Sequence, residues 1–332
     1  MKNNQELHAY LNSITQSEFV KIKPNTSEAW ILTNRKVNSV LEKLNKLPLR
    51  LSDVFDKIFQ GIATSKDDVY FLYNCHLTNS FEIEGFSKYL KKNVTIEKGL
   101  VKPLLKGEDV HRYEPLYSDR YVIFPYNLSN GRAELFSEQQ IANLFPKGYS
   151  YLKDCEEELR GREKGRLKND TYWYRYIYPK NLSLFAHKKL VAPEISYGGN
   201  FSYDSNGHFY STTKIYGYIK KDSCKYSYKF LLGLLNSSLF WFFIQKTGYV
   251  LRGGYYTFKT NYVSPFPIPC FDSTDKIKIG EVEKYVEVLI DPNKPLTKEK
   301  ILDIMKRIDS AIYNIYYLSN DEINTIEMYT KI

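Results

Sequence analysis

The chain has 332 residues, 43% hydrophobic and 16% aromatic, with 30 tyrosines against 26% charged residues, a balance that supplies a packed core and excludes a disordered chain. Lys and Arg number 47 against 38 Asp and Glu, a formal charge of +9; this favours an acidic partner, because cations that neutralise phosphates release condensed counterions. Cys75, Cys155, Cys224 and Cys270 show no Cys-x-x-Cys or Cys/His spacing, which argues against a zinc site or a disulfide framework and for the reduced thiols of a cytoplasmic protein.

Met1 to Glu6 contain no apolar run, so no secretion signal is expected. Val37, Val40, Leu41 and Leu44 keep helical spacing after a lone Trp30 and before the break at Pro48, so residues 1–47 read as a partly helical connector. Residues 48–270 mix short apolar runs with Gly, Asn, Asp and Pro turns. That pattern predicts an α+β domain of short strands in mixed or antiparallel sheets with flanking helices. Strands are expected at residues 69–72, 121–124, 190–192 and most clearly 172–178, where four tyrosines at period two would share one face. The apolar run 230–244 is interrupted by Asn236, Ser237 and Ser238 and falls short of the roughly 18 residues of a membrane span, so it reads as a core helix. Beyond Pro269, residues 271–332 form a small helical segment. Ile301, Ile304, Ile308, Ile312 and Ile315 recur at helical spacing behind a Thr297 N-cap, and Ser319 with Glu322 opens a last helix as a capping box.

Several chemistries are missing. There is no Pro-Pro dipeptide, hence no Asn-Pro-Pro-Tyr loop to hold a flipped base's amino group. Gly198-Gly199 and Gly253-Gly254 do not open an apolar helix as a dinucleotide or S-adenosylmethionine loop would. No Asp-x-Lys or Glu-x-Lys triplet and no Walker loop (Gly-x-x-x-x-Gly-Lys) occurs, which disfavours the common metal nucleases and ATPases. The histidines His8, His76, His111, His187 and His208 are isolated.

The densest local signal runs from Arg160 to Lys189. Arg160, Arg162, Lys164, Arg166, Lys168, Arg175, Lys180, Lys188 and Lys189 face only Glu163 and Asp170, and Tyr172, Trp173, Tyr174, Tyr176 and Tyr178 interleave with them. Cations that pair phosphates beside rings that pack on sugars or bases suit a nucleic acid; the same run also fits a solvated charge run beside a core strand. In Gly248–Tyr256 the flexible Gly248, Gly253 and Gly254 flank Arg252, the residue type that reads guanine bidentately, or else form a plain turn. Thr64, Ser65 and Lys66 in a polar loop, and Lys106 and Arg112 further on, are candidate phosphate contacts or structural turns.

The order of the segments carries more than any one of them. Leu51-Ser52-Asp53-Val54, Gly61-Ile62-Ala63-Thr64, Val101-Lys102-Pro103-Leu104-Leu105-Lys106-Gly107, Trp173-Tyr174, Lys189-Leu190-Val191-Ala192-Pro193-Glu194, Leu251-Arg252-Gly253-Gly254 and Phe266-Pro267-Ile268-Pro269 follow one another. That series, with the helical tail Ile308-Asp309-Ser310-Ala311-Ile312-Tyr313 and Glu322-Ile323, covers about Leu49 to Glu327 and resembles the TaqI-like C-terminal specificity domain of adenine-N6 DNA methyltransferases and type II restriction-modification enzymes. The resemblance implies a module that grips one side of a short double-stranded DNA site. It also implies that S-adenosylmethionine binds a catalytic domain expected to be absent here, so that this chain holds no cofactor and performs no catalysis alone, whether as an excised domain, a specificity subunit paired with a separate methyltransferase or nuclease chain, or a remnant of a disrupted gene. Two other readings stay open: an enzyme on an acidic substrate around Asp67, Asp68, Glu108 and Asp109, and a protein-interaction scaffold that uses the Tyr-rich surface and the Ile301–Ile315 stripe.

Overall fold

Asn34 opens the computed structural model, which describes residues 34–270 and 276–330; Trp30 and the residues before it lie outside these. The Asn34 side chain accepts from the Val37 amide at 3.0 Å and so caps α1 (Arg35–Asn45), whose Val37, Val40, Leu41 and Leu44 are all buried as their spacing predicts. Strands β1 (Leu49–Arg50) and β2 (Phe55–Gln60) follow, then β3 (Phe71–Leu77), β4 (Glu82–Ser87), β5 (Lys92–Glu97), β6 (Val101–Leu105) and β7 (Tyr121–Ile123). The hairpin β8 (Tyr126–Ser129) and β9 (Arg132–Leu135) leads to helices α2 (Glu138–Leu144), α3 (Pro146–Asp154) and α4 (Glu156–Gly165). Short strands resume with β10 (Lys189–Pro193), β11 (Ile195–Ser196), β12 (Ser202–Asp204), β13 (Tyr210–Ser211) and β14 (Ile215–Lys220). Helices α5 (Tyr228–Leu235) and α6 (Ser238–Thr247), strands β15 (Tyr256–Thr257) and β16 (Pro267–Ile268), and helices α7 (Lys276–Ile290), α8 (Lys298–Ile315) and α9 (Asn320–Thr330) complete the order.

These elements make an α+β fold. A six-stranded sheet runs β13-β6-β7-β3-β4-β5, a four-stranded one β12-β10-β14-β2, and β1-β16, β11-β15 and β8-β9 pair off separately. The β13–β6 pairing is parallel and the other ladders are antiparallel. Two large cores result. One joins α1 and the helices α5 to α9 to the four-stranded sheet; the other lies under the six-stranded sheet and holds Tyr70, Phe124, Tyr151, Trp173, Tyr174 and Tyr176. Strand β2 ties them together, with Phe55 in the first core and Phe59 in the second. Each such side chain, once covered, contributes about 1.5–3 kcal/mol.

Local signals placed the C-terminal helices. Thr297 accepts from the Lys300 amide, and Ser319 and Glu322 exchange side-chain and backbone bonds at the start of α9. The apolar run 230–244 is two helices rather than one. Asn236 ends α5 and Ser237 caps α6, while Asp309 reaches across to accept from both the amide and the hydroxyl of Ser238. No helix among the described residues is long and apolar enough to cross a membrane.

Two expected strands are corrected. Asp67–Tyr70 is a single helical turn, and β3 begins only at Phe71. Residues 172–178 form turns with one bridge, Tyr178 to Ala63. Their tyrosines do not share a face, since Tyr174 and Tyr176 are buried while Tyr172 and Tyr178 are exposed. Hydroxyls explain the outcome: Tyr174 donates to the Phe136 carbonyl and Tyr176 to that of Ile123, so side chains replace the ladder a strand would need.

Candidate functional site

Arg162 organises the basic segment from inside. It is 4% exposed, and its guanidinium donates to the carbonyls of Leu159, Thr64, Trp173 and Arg175 at 2.8–2.9 Å, with the Tyr70 ring 5.4 Å away. The expected phosphate contact at Arg162 is therefore corrected to an internal strut, because four of its five N–H donors are taken and the side chain is closed to solvent. The strut ties the Thr64 loop to the Trp173–Arg175 turn. Beyond Arg162 the chain turns through Glu163, Lys164 and Gly165, all at positive φ, which projects the exposed Lys164, Arg166 and Lys168 outward. Arg166 lies over the Tyr178 ring, whose hydroxyl donates to Glu163.

Three other expected contacts, Lys189, Trp173 and Thr64, also prove internal. Lys189 is 1% exposed and pairs with Asp204 at 2.5 Å, and Asp204 also accepts from the amides of His208 and Phe209. Desolvation pushes the Lys189 amine below the usual lysine range, against the pull of Asp204. Neighbouring Lys188 is exposed. Trp173 is buried, with Lys153 and Arg160 over its ring, and Thr64 is buried with its hydroxyl on Asp67; neither faces a partner. Lys66 pairs with Glu158 and Arg175 with Asp170, and Lys106 sits 4.8 Å over the Tyr73 ring. Ser65 holds a positive φ of 61° in its turn. Arg112 donates to the Gly199 carbonyl.

A second constellation stands apart from this one. After α6 the chain forms a hairpin: Val250 bridges Tyr256, the Leu251 amide donates to the Tyr255 carbonyl at 2.6 Å, and Thr257 donates to that of Tyr249. At its tip Gly253 and Gly254 take φ of +83° and +78°, a conformation that favours glycine, and Arg252 is exposed with no ion pair or hydrogen bond among the described residues. The second arm, β15, pairs with β11, and the Tyr256 ring packs edge-on against buried Trp241. A rigid base thus carries an open cationic tip.

Two clefts flank exposed Ile195 beside this hairpin. One, of about 560 Å³, is lined by His111, Glu194, Tyr197, Asn200, Lys214 and Tyr255 among others. The other, of about 260 Å³, is lined by Glu194, Ile195, Tyr249, Leu251, Thr257, Lys259 and Tyr262. Exposed Tyr197 and Tyr255 meet edge-on, and Tyr249 stacks on Tyr262. Sequence reasoning picked Arg252, Gly253 and Gly254 here but missed Tyr197, Lys214 and Lys259. The one available signal was Gly198-Gly199 just after Tyr197, where a Cβ on Gly199 would meet the Leu235 carbonyl at 2.4 Å.

Nothing in the structure assembles the alternative catalytic cluster. Asp67 and Asp109 serve two different turns, one held by Thr64 and the other by the Lys106 amide and Arg120, and Glu108 is exposed. Burial pushes the Cys75 and Cys155 thiols up to about 12, so neither offers a thiolate at neutral pH.

Similarity to curated proteins extends over most of the chain. Type II methyltransferase M.BstVI of Geobacillus stearothermophilus is 26% identical over 305 residues, 90% of this chain and 46% of that protein. Type II methyltransferase M.XhoI of Xanthomonas vasicola is 22% identical over 76% of this chain and 41% of its own length. M.BanIII of Aneurinibacillus aneurinilyticus is 24% identical over 73% and 39%. The chain thus spans less than half the length of these relatives. The solved structure of the type IIG restriction endonuclease BpuSI aligns over 85% of this chain and 33% of that one, with a TM-score of 0.44 and 11% identity. Residues 102–268, just over half of the sequence and the stretch that contains both clefts and the Arg252 hairpin, match the TaqI-like C-terminal specificity domain, and the chain belongs to that family.

Proposed function

We propose that this chain is the target-recognition module of a restriction-modification system, which binds a short double-stranded DNA site and positions it for an adenine-N6 methyltransferase or a methyltransferase-nuclease. Family membership supports the recognition role. The observation that carries it to a surface is the Arg252 hairpin: an exposed, unpaired arginine on a glycine tip, anchored to β11 and Trp241, with exposed tyrosines beside it. Such a projection enters a major groove, where arginine forks onto guanine, while the exposed Lys164, Arg166, Lys168 and Lys188 supply sequence-independent phosphate contacts. In this reading S-adenosylmethionine belongs to the catalytic partner, and the DNA partner puts the work in the cytoplasm.

The test is selection of bound duplexes from a random pool at about 150 mM salt, which suppresses purely electrostatic binding. Enrichment of one short motif supports the proposal. Binding without enrichment, or no binding, would move the reading to a scaffold.

A further inference from the structure

Glu194 links β10 to β11, with its backbone fixed on both sides: its amide donates to the Lys214 carbonyl and its carbonyl accepts from the Phe258 amide, both at 2.7 Å. Its side chain, only 11% exposed, lines both clefts that flank Ile195 at the foot of the Arg252 hairpin. A carboxylate so covered has lost most of its water and ordinarily gathers several hydrogen bonds. Here, among the described residues, its one partner is the Lys259 amine at 3.4 Å, and that lysine remains half exposed. The buried hydroxyl of Thr257, which lines one of the same clefts, has no hydrogen-bond partner either.

We infer that Glu194 reads a base, its carboxylate accepting a hydrogen bond from the exocyclic amino group of an adenine or cytosine in the duplex held beside the Arg252 hairpin. This deepens the recognition role proposed above and rests on it. The chemistry selects the ligand. A phosphate would be repelled by the carboxylate, and of the groups on base edges in the major groove only adenine N6 and cytosine N4 donate. Lys259, free over half its side chain, then turns to a neighbouring phosphate as the base replaces it.

The experiment starts from the full chain and the site it enriches from a random duplex pool. Each adenine and cytosine in that site is replaced singly by an analogue without the amino group, purine for adenine and 2-pyrimidinone for cytosine. Binding is then measured for the natural chain and for Glu194→Ala. The expected result is one position at which losing the amino group weakens the natural chain about ten- to a hundred-fold more than it weakens Glu194→Ala; the analogue that does this names the base. Because weakened pairing in the duplex affects both proteins alike, it cancels in the comparison. Thermal denaturation checks the fold. Should the alanine variant be unstable, Glu194→Gln keeps the shape and a neutral acceptor, and its discrimination is expected to fall between the two. If every analogue weakens both proteins equally, the inference is overturned and the recognition role stands; if no site is enriched, both fall.

Discussion

Replacing Arg162 with methionine removes a strut that no charge count along the chain reveals. Four carbonyls, three of them in fully buried hydrogen bonds, lose this donor. Each such hydrogen bond contributes roughly 0.5–1.5 kcal/mol net, and an orphaned buried acceptor costs about 1–3 kcal/mol. The loss should therefore reach about 4 kcal/mol, a large part of the 5–15 kcal/mol that holds a typical protein folded. Urea denaturation followed by circular dichroism and by tryptophan fluorescence measures it, since Trp173 lies in the core beside the strut and Trp241 in the other. Arg162→Lys should recover less than half, because one ammonium cannot reach carbonyls spread around a planar fork. A loss below about 1 kcal/mol, or a variant of full stability whose DNA binding becomes less salt-dependent, would refute the internal role and return Arg162 to the surface.

Arg252→Ala should leave stability within about 0.5 kcal/mol but weaken the enriched duplex by roughly 1–3 kcal/mol and relax its sequence preference; equal weakening on random DNA, read by fluorescence anisotropy, would reduce Arg252 to a phosphate contact. Lys189→Met should destabilise by about 3–5 kcal/mol, because Asp204 stays buried without its partner. Exposed Lys188→Met should leave the urea midpoint unchanged and lower the salt slope of DNA binding by about one. Asp309 gives a pH test. Burial raises its carboxyl above the ordinary range, against the bonds from Ser238, so the folded chain favours its protonated form. That stability is full below the unfolded carboxyl value and is lost as pH rises through the raised one. Asp309→Asn should accordingly gain stability relative to the natural chain as pH rises above the ordinary carboxyl value of about 4; melting temperatures that differ by a constant amount as pH rises from there would contradict it.

Legibility followed the range of the interactions. Helices whose caps or stripes lie within a few residues, such as α1 with its Val37–Leu44 stripe and α8 with Thr297, were readable. The tyrosine segment was not, because period-two aromatics mark a strand only when a neighbouring backbone pairs with them, and here Tyr174 and Tyr176 hydroxyls bind distant carbonyls instead. The basic run misled for a related reason. Nine cations counted along the chain look like one surface, yet Lys189 finds Asp204 fifteen residues on, and Arg162 finds Thr64 across the fold. Arg252 was readable because glycines on one side and an apolar helix on the other already describe a projecting turn. Glu194 entered only as part of a familiar string of residues, since the covering that makes it notable comes from a strand more than sixty positions later.

The pairing of β1 with β16 and the burial of α1 against the C-terminal helices also set a timetable for the ribosome. Leu49 meets Ile268, roughly 220 residues downstream, so at about 5–20 residues per second the apolar stripe of α1 waits on the order of 10–40 seconds for its cover. During that interval Val37, Val40, Leu41 and Leu44 are chaperone bait. The core beneath the six-stranded sheet draws its side chains from residues 59–210 and can close while the residues that follow are still being made.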